Sequence, residues 1–566
     1  MFGKDISKEI EKYLLASCRL YFSSNLPGIS LPEDLDISLQ VTRDEAHGDL
    51  SSNVAMRLAS LAKCSPQVLG EAVLIIFREQ IPGTALEGFI EQVEMKEGFI
   101  NFRFSSKYYQ GVLERISEKK GAFGKNVVSC REHVNLEFVS ANPTGPLTIA
   151  HGRQAAIGDA LSRILCFAGA KVTNEYYLND VGRQISLLGE SVKVRYRGLF
   201  GKDEAMPDDG YQGDYITEIA KEIKSKKEDK ILEDKDEGSF DKIFCEYAVK
   251  YMMGLIRKDL SDFGVKFDVW TPQSSLEERD EVAGALKLLE EKGYIYESEG
   301  AKWFSSTKFG DEKDRVVVKS DGLYTYLAPD IAYHLGKYKR GYTKVVDLLG
   351  PDHHGYIGRM KAAVQAFGED KKTLDILIVQ LVTLLRGGKS ISMSTRRGEF
   401  ISLREIIDEV GKDVTRFFFL SRRLDSHLDF DIELAKKESA DNPVFYIQYA
   451  HARICSIKRY SQKNRLKLSF TRKDLKKLSS KEEIRLIRKL GEFPFAVRMS
   501  AETLEPNRII SYLNELARCF HSFYTECRVV SEDMVLSKTR LFLVECVRIV
   551  LANGLGLLNI TLPEKM

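Results

Sequence analysis

The hydrophobic period of the chain switches from two to 3.6 residues and back, and few architectures accept that alternation. "HVNLEFVS", residues 133–140, alternates Val134, Leu136 and Phe138, the pattern of a half-buried strand. A polar turn, "ANPTGPLT", follows it. Ile157, Ala160, Leu161, Ile164, Leu165 and Ala168 then form one helical stripe that stops before Gly169. "KVVDLLGPDHHGYIGRMKAAVQAFG" repeats strand, Gly turn and helix, and "LDILIVQLVTLL" reads as a single buried strand. Strands alternating with helices predict an α/β architecture, a Rossmann-like doubly wound parallel sheet.

The flanks differ from this middle. Residues 1–122 read as an N-terminal α+β unit: "GDLSSNVAMRLASLA" has helical spacing, and "FIEQVEMKEGFINFRF" alternates around a Gly like a hairpin. The α/β unit covers residues 123–438, with a charged insertion at about 184–270 between the halves of its sheet. "SLRE", residues 402–405, is a capping box that starts a helix. From 439 to 566 the periods are helical and predict an all-α bundle. Within it, residues 458–489 hold thirteen Lys or Arg against Asp474, Glu482 and Glu483, either a solvated face or a phosphate-binding one. With a formal charge of only +2, any nucleic-acid surface has to be a local patch. The nine cysteines are odd in number and scattered, and none forms a CxxC pair. That argues against a disulfide framework and a structural zinc site, and for a reduced, cytoplasmic setting. The start, "MFGKDISKEIEKYLL", mixes acids with bases and is no signal peptide, and no uncharged apolar run has membrane-spanning length.

Two segments carry chemistry. In "ANPTGPLTIAHGR", residues 141–153, a turn runs into a helix N-terminus, where free N–H groups and the helix dipole favour anions. Small residues at Gly145 and Ala150 permit close approach, and His151 can bond a phosphate oxygen; the plainer reading is a strand–helix turn with a capping His. "LLRGGKSISMSTRRGEF", residues 384–400, places glycines and hydroxyls beside Lys389, Arg396 and Arg397. Such a loop can close over a polyphosphate and neutralise a departing pyrophosphate. The alternative is an exposed basic loop.

Together these segments resemble the His-x-Gly-His and Lys-Met-Ser-Lys-Ser signatures of class I aminoacyl-tRNA synthetases. The wider context is similar to the arginyl-tRNA synthetase family. "EFVSANPTGPL", "DGLYTYLAPDIAYH", "GPDHHGYIGRMKAA", "SMSTRRGEF", "DNPVFYIQYAHARICSI" and "LLNITLPEKM" resemble its blocks in order, and "HGDLSSNVA" with "EGFINFRF" its N-terminal tRNA-binding domain. The resemblance spans nearly the whole chain. It implies that arginine's carboxylate attacks the α-phosphate of ATP, accompanied by Mg²⁺, to give arginyl-adenylate and pyrophosphate. Arginine then passes to the terminal ribose of its tRNA, and the first step usually needs bound tRNA. It also implies a cytoplasmic monomer with no tightly bound protein metal.

Residue by residue, the resemblance implies that Ser140, Asn142 and His151 lie around arginine and ATP, and Tyr326 and Asp330 in the side-chain pocket; Glu137, inside a strand, reads either as a second acidic contact or as a solvent-facing residue. A guanidinium is well held by a carboxylate fork beside planar or hydroxyl partners. Ala150, His151, Gly152, Gly350, Asp352, His354, Met393 and Ser394 match ATP-side positions. Tyr446, Gln448, Tyr449, His451 and Arg453 are candidates for tRNA contact by stacking or hydrogen bonds to unpaired bases. Adjacent His353 and His354 on a turn seldom converge on one metal.

The chain departs from the family pattern. Thr148 replaces the first His of the first signature, and a Thr hydroxyl is never cationic. Ala150 replaces Gly. In the second signature Ser392 and Thr395 stand where lysines would be. The expectation is that Lys389, Arg396 and Arg397 supply the missing charge, with His151 and Thr148 at the reacting phosphate. Two rivals stay open: a class I synthetase for another amino acid, and a tRNA-binding paralogue that has lost catalysis.

Overall fold

The computed structural model describes residues 6–33, 35–42, 44–128, 132–227, 237–391, 401–439, 441–464 and 471–566. Its centre is a five-stranded, all-parallel sheet. Across it run Leu374–Ile378, Lys344–Leu349, His133–Glu137, Lys171–Leu178 and Val269–Pro272. In chain order this reads 5-4-1-2-3, so the winding reverses between the first and fourth strands. In such sheets the crevice lies at the carboxyl ends of those two strands.

One face of the first strand is apolar. Val134, Leu136 and Phe138 pack under the helix Ile149–Ala168, whose predicted stripe is buried and which ends at Gly169. Gly158 admits the strand: a Cβ there would lie 2.2 Å from the Phe138 ring. The strand is not half-buried as its alternation suggested, because Asn135 and Glu137 on the other face are buried too. Asn135 donates to Glu175 on the neighbouring strand at 2.6 Å. The polar residues of the alternation face charged partners, not water.

"LDILIVQLVTLL" is two strands, Leu374–Ile378 in the parallel sheet and Val382–Arg386 in a separate three-stranded one. The break has a visible cause. The buried Arg153 guanidinium donates to the carbonyls of Gln380 (2.8 Å), Leu381 (3.4 Å) and Arg423 (2.9 Å), drawing the chain out of the ladder. Among the described residues no carboxylate bonds it, and burial pulls its pKa down to about 10.

Between the second and third strands, the helices Arg183–Gly198, Asp214–Lys227 and Glu237–Asp262 enclose a small core of their own around Leu188, Tyr196, Ile219 and Phe244. Beyond the third strand comes an antiparallel sheet, Ile295–Ser298, Ala301–Phe304 and Arg315–Val318, that the sequence reading did not contain. The N-terminal unit has the expected hairpin, Ile90–Lys96 with Phe99–Phe104, in a four-stranded antiparallel sheet covered by helices. Ser402 and Glu405 make the predicted capping box on Leu403–Val410. The C-terminal bundle contains Pro443–Lys463, Lys481–Gly491, Phe493–Thr503, Asn507–Glu526 and Met534–Leu557. It is tied to the N-terminal unit by Arg488 on Asp49 (2.9 Å) and Arg498 on Glu11 (2.7 Å).

Candidate active site

After Glu137 the chain turns sharply. Val139 and Ser140 have φ of 69° and 38°, a left-handed conformation costly for a β-branched residue. The turn is fixed by its own hydrogen bonds. The Ser140 hydroxyl donates to Glu137 at 3.0 Å and accepts the Tyr177 N–H at 3.1 Å. The Tyr176 hydroxyl donates to the Ala141 carbonyl at 2.7 Å. Strain of roughly 1–3 kcal/mol per such residue persists only where neighbours impose it. Here it directs Glu137, Ser140 and Asn142 into one cavity of about 620 Å³.

The helix Ile149–Ala168 opens on the same cavity. Thr148 is its N-cap, and the Thr148 N–H donates to Nδ1 of His151 at 3.2 Å. Nδ1 is therefore an acceptor and the ring proton sits on Nε2. Burial lowers the His151 pKa to about 4, so His151 is a neutral hydrogen-bond donor, not a cation. Leu403 N–H donates to the Leu147 carbonyl at 2.8 Å, and Thr148 bridges Ser402. The chain leaving the second signature thus rejoins the fold against the cap of the first. Gly152 does not face the cavity as an ATP-side glycine should. A Cβ there would meet Leu403 at 2.6 Å and Phe419 at 3.0 Å, so its missing side chain serves helix packing.

The opposite wall is the helix Leu327–Lys339. Tyr326, at its N-terminus, is 85% exposed, and Asp330 lies in its first turn. The Tyr356 hydroxyl donates to the Asp330 carboxylate. Burial still pushes the Asp330 pKa up to about 6, against the pull of His334, Tyr356 and Lys337. Beneath it, Glu175, Glu137 and Asp347 are register partners on three adjacent strands, a buried row of carboxylates. The same helix covers that row. Lys337, with no exposed surface, bridges Glu137 (2.6 Å) and Asp347 (2.7 Å). Arg340 reaches Glu175 at 2.8 Å, and His334 Nε2 lies 2.8 Å from Asp347. Burial opposes the Lys337 charge, but Asp347 and Glu137 outweigh it and hold the ammonium above the ordinary lysine range. Burial likewise opposes the Asp347 charge, and Lys337 and His334 hold that carboxyl well below the usual carboxylate range.

The cavity gathers Glu137, Ser140, Asn142, Ala150, His151, Tyr326, Asp330, Gly350 and Asp352. At the Gly350 turn His353, not the exposed His354, lines it; the short turn Pro351–His353 carries His354 past the opening. A second cavity, of about 540 Å³, shares Asn142, His151 and Tyr326 with the first. Thr148 and Gly145 line it on one side, and Arg183, Tyr211 and Tyr215 from the insertion on the other. Lys389 is exposed on the strand after the Gly387–Gly388 turn and lines neither cavity. Ser392, Met393, Ser394, Thr395, Arg396 and Arg397 lie outside the described residues. Among the described residues no group of three His, Cys, Asp or Glu is placed to hold a metal ion.

In the bundle, two expected base contacts are corrected. Gln448 and His451 are buried and hold the C-terminal segment: Gln448 donates to the Thr561 carbonyl (3.1 Å), and His451 Nδ1 lies 2.9 Å from the Pro563 carbonyl. Tyr449 is exposed, with Arg453 over its ring at 4.7 Å and His521 stacked on it at 5.9 Å; Tyr446 packs on the same His521 at 4.6 Å. Much of the basic stretch is paired within the chain, as in Lys458 with Glu545, Lys477 with Asp533 and Lys489 with Glu492 and Glu515.

Sequence reasoning missed Tyr177, Tyr333, His334, Lys337, Asp347, Tyr356 and Arg359 at this site. Two signals carried some of them. Asp330, His334 and Lys337 recur at helical spacing, and Asp347 is an acid inside an apolar strand.

Comparison with known proteins identifies the family. The class I tRNA synthetase (R) catalytic domain family matches residues 113–419, the arginyl tRNA synthetase N-terminal domain family residues 4–104, and the DALR anticodon binding domain family residues 447–566. An arginine–tRNA ligase of Desulforamulus reducens is 45% identical over 95% of this chain and 94% of its own. One from Bacillus licheniformis is 42% identical over 100% of this chain and 99% of its own. The solved arginyl-tRNA synthetase of Thermus thermophilus has the same fold, with a TM-score of 0.77 at 20% identity over 99% of this chain and 100% of that one.

Proposed function

The chain belongs to the arginyl-tRNA synthetase family, and on that premise we propose how its own residues divide the work of activating L-arginine with ATP and charging tRNA. The activity is that of an arginine–tRNA ligase, and ATP, arginine and tRNA are its substrates. The observation that carries the site assignment is the buried Asp330 carboxylate, bonded by Tyr356 and, among the described residues, paired directly with no cation, at the foot of the cavity. It is the guanidinium seat, with Tyr326 closing over it and Glu137, Ser140 and Asn142 along the rest of the arginine. A carboxylate left without its cation in a buried site disfavours uncharged side chains.

The nucleotide lies along Ala150, His151, Gly350 and Asp352. His151, a neutral Nε2–H donor, bonds the α-phosphate oxygen and needs no change of protonation to do so. Thr148 stands beside it as the cap that fixes the ring. Arg359 lines the cavity beside Gly355, with its Nε buried and unbonded, and joins Lys389, Arg396 and Arg397 as a cation for the β- and γ-phosphates. Mg²⁺ enters on the triphosphate, as part of the substrate. The second cavity receives the 3′ end of the tRNA, since it meets the first at Asn142, His151 and Tyr326. Tyr446, Tyr449 and Arg453 form the base-stacking face of the bundle. We assign residues 1–122 and 439–566 to tRNA binding and 123–438 to catalysis, in a cytoplasmic monomer.

Arginine-dependent exchange of pyrophosphate into ATP tests the reading. Exchange is expected with arginine and tRNA together and to fall to background without tRNA. No exchange under any combination, with tRNA still bound, would favour the inactive paralogue.

A further inference from the structure

The pocket floor can be counted in charges. Its carboxylates are Glu175, Glu137 and Asp347 in the strand row, and Asp330 above them. Its cations come from one helix. Arg340 bonds Glu175, and Lys337 bridges Glu137 and Asp347. His334 completes the set. Its Nε2 lies 2.8 Å from the Asp347 carboxylate and its Nδ1 2.8 Å from the Asp330 carbonyl. Both partners are acceptors, so each ring nitrogen is placed to donate a hydrogen bond. With a proton on each ring nitrogen, four negative charges face three positive ones among the described residues, and the unmatched carboxylate is Asp330.

We propose that Lys337 and His334 are positioning residues that set the charge of the arginine pocket. By neutralising Glu137 and Asp347 they leave one carboxylate open, so the site accepts a side chain bearing one positive charge, without proton exchange. This rests on Asp330 being the guanidinium seat.

The groups facing Asp330 allow the consequence to be signed. From its own helix come His334 and Lys337; from the strands come Glu137 and Tyr177; from the helix Tyr356–Phe367 comes the Tyr356 hydroxyl. Arg359, on that last helix, stands on the nucleotide side against Gly355. Of the groups acting on Asp330, His334, Lys337 and Tyr356 favour its charged form, and burial and Glu137 oppose it. With both cations in place Asp330 is ionised at neutral pH. Removing either leaves a proton on the floor, on Asp330 or shared between Glu137 and Asp347. Arginine must then displace that proton to bind. Each unit by which the carboxyl pKa exceeds the working pH weakens arginine about tenfold.

Calorimetric titration of the full chain with arginine at pH 7.5, in two buffers of different ionisation enthalpy, reads the protons directly. The wild type should release essentially none. Lys337→Met, which keeps the aliphatic stem, should bind arginine at least about tenfold more weakly and release up to one proton, the defect shrinking as pH rises. His334→Gln, which keeps a neutral donor toward Asp347, should do the same to a smaller extent, and serves if Lys337→Met fails to fold. Binding by folded variants with wild-type affinity and no proton release overturns the proposal, because a merely structural role predicts that result. Asp330→Asn separates the two readings. If it leaves arginine affinity unchanged, the pocket assignment fails; if it abolishes binding while the Lys337 and His334 variants behave as wild type, only this inference fails.

Discussion

Two helices of this molecule carry similar polar stripes and use them in opposite ways. Leu327–Lys339 presents Asp330, His334 and Lys337, and Pro443–Lys463 presents Gln448 and His451. All five side chains are drawn inward. In the bundle, the acceptors they need are supplied by the chain's own C-terminal segment, at the carbonyls of Thr561 and Pro563. In the pocket helix, Lys337 and His334 are satisfied by carboxylates of the sheet, but among the described residues Asp330 has only a tyrosine hydroxyl. A buried polar stripe with every member matched is a clasp. One left with an unmatched charge is a binding site, because the missing counter-charge must arrive with a ligand. The two cases should therefore separate under mutation: the unmatched pocket carboxylate costs function and little stability, clasp residues the reverse.

The largest effect is expected at Asp330. Removing one partner of a buried ion pair costs roughly 3–5 kcal/mol, so Asp330→Asn should lower kcat/KM for arginine by at least about a hundredfold. Its melting temperature should stay level or rise. The folded carboxyl holds its proton more tightly than the unfolded one, so ionising it above about pH 6 costs the free protein stability, and an amide never ionises. A collapse of stability in Asp330→Asn would break the comparison.

Next in size is Tyr449. Being exposed and stacked with Arg453 and His521, it belongs to neither class, and it is available to an unpaired base. Stacking of a base on an aromatic ring is worth roughly 1–3 kcal/mol, so Tyr449→Ala should raise the KM for tRNA by about tenfold. Pyrophosphate exchange at saturating tRNA should not change. The pH dependence of arginine binding comes after it. With Asp330 as the proposed guanidinium seat, arginine binds the ionised carboxylate, so its dissociation constant should be flat above neutrality and rise about tenfold per unit below about pH 6, measured by calorimetry.

The sequence made the parallel sheet, the helix after the first strand, the capping box at Ser402 and the N-terminal hairpin legible, because each rests on local periodicity or a short-range cap. It also placed Glu137, Ser140, Asn142, His151, Tyr326 and Asp330, which the fold brings to one cavity. What escaped was set by distant partners. Nothing near Gln380 announces that Arg153, remote in the chain, will take its carbonyl and split a strand. Nothing near Glu137 announces Lys337, since the pair is made by strand register and a helix from another part of the chain. Gly152 looked like a nucleotide glycine because it stands inside the first signature, and only the packing of Leu403 and Phe419 reveals its other use. Polarity in an alternating strand was read as exposure, whereas here it marks the acidic row.

The smallest effect, and the one that tests the clasp most directly, is at Gln448. Its amide donates to the Thr561 carbonyl at 3.1 Å and lies 3.5 Å from the Asp413 carboxylate, which also accepts the Thr561 N–H at 3.1 Å. The three residues close a small ring that fastens the C-terminal segment to the first bundle helix. A single neutral hydrogen bond of this kind contributes about 1 kcal/mol net, and leaving the Thr561 carbonyl unbonded adds a comparable penalty. Gln448→Leu keeps the volume and deletes the donor, so denaturant unfolding should show a loss of about 1–2 kcal/mol. The KM for tRNA should be unaltered, because the side chain is not presented to solvent. A weakened tRNA interaction with no loss of stability would return Gln448 to the nucleic-acid face and erase the distinction between the two helices.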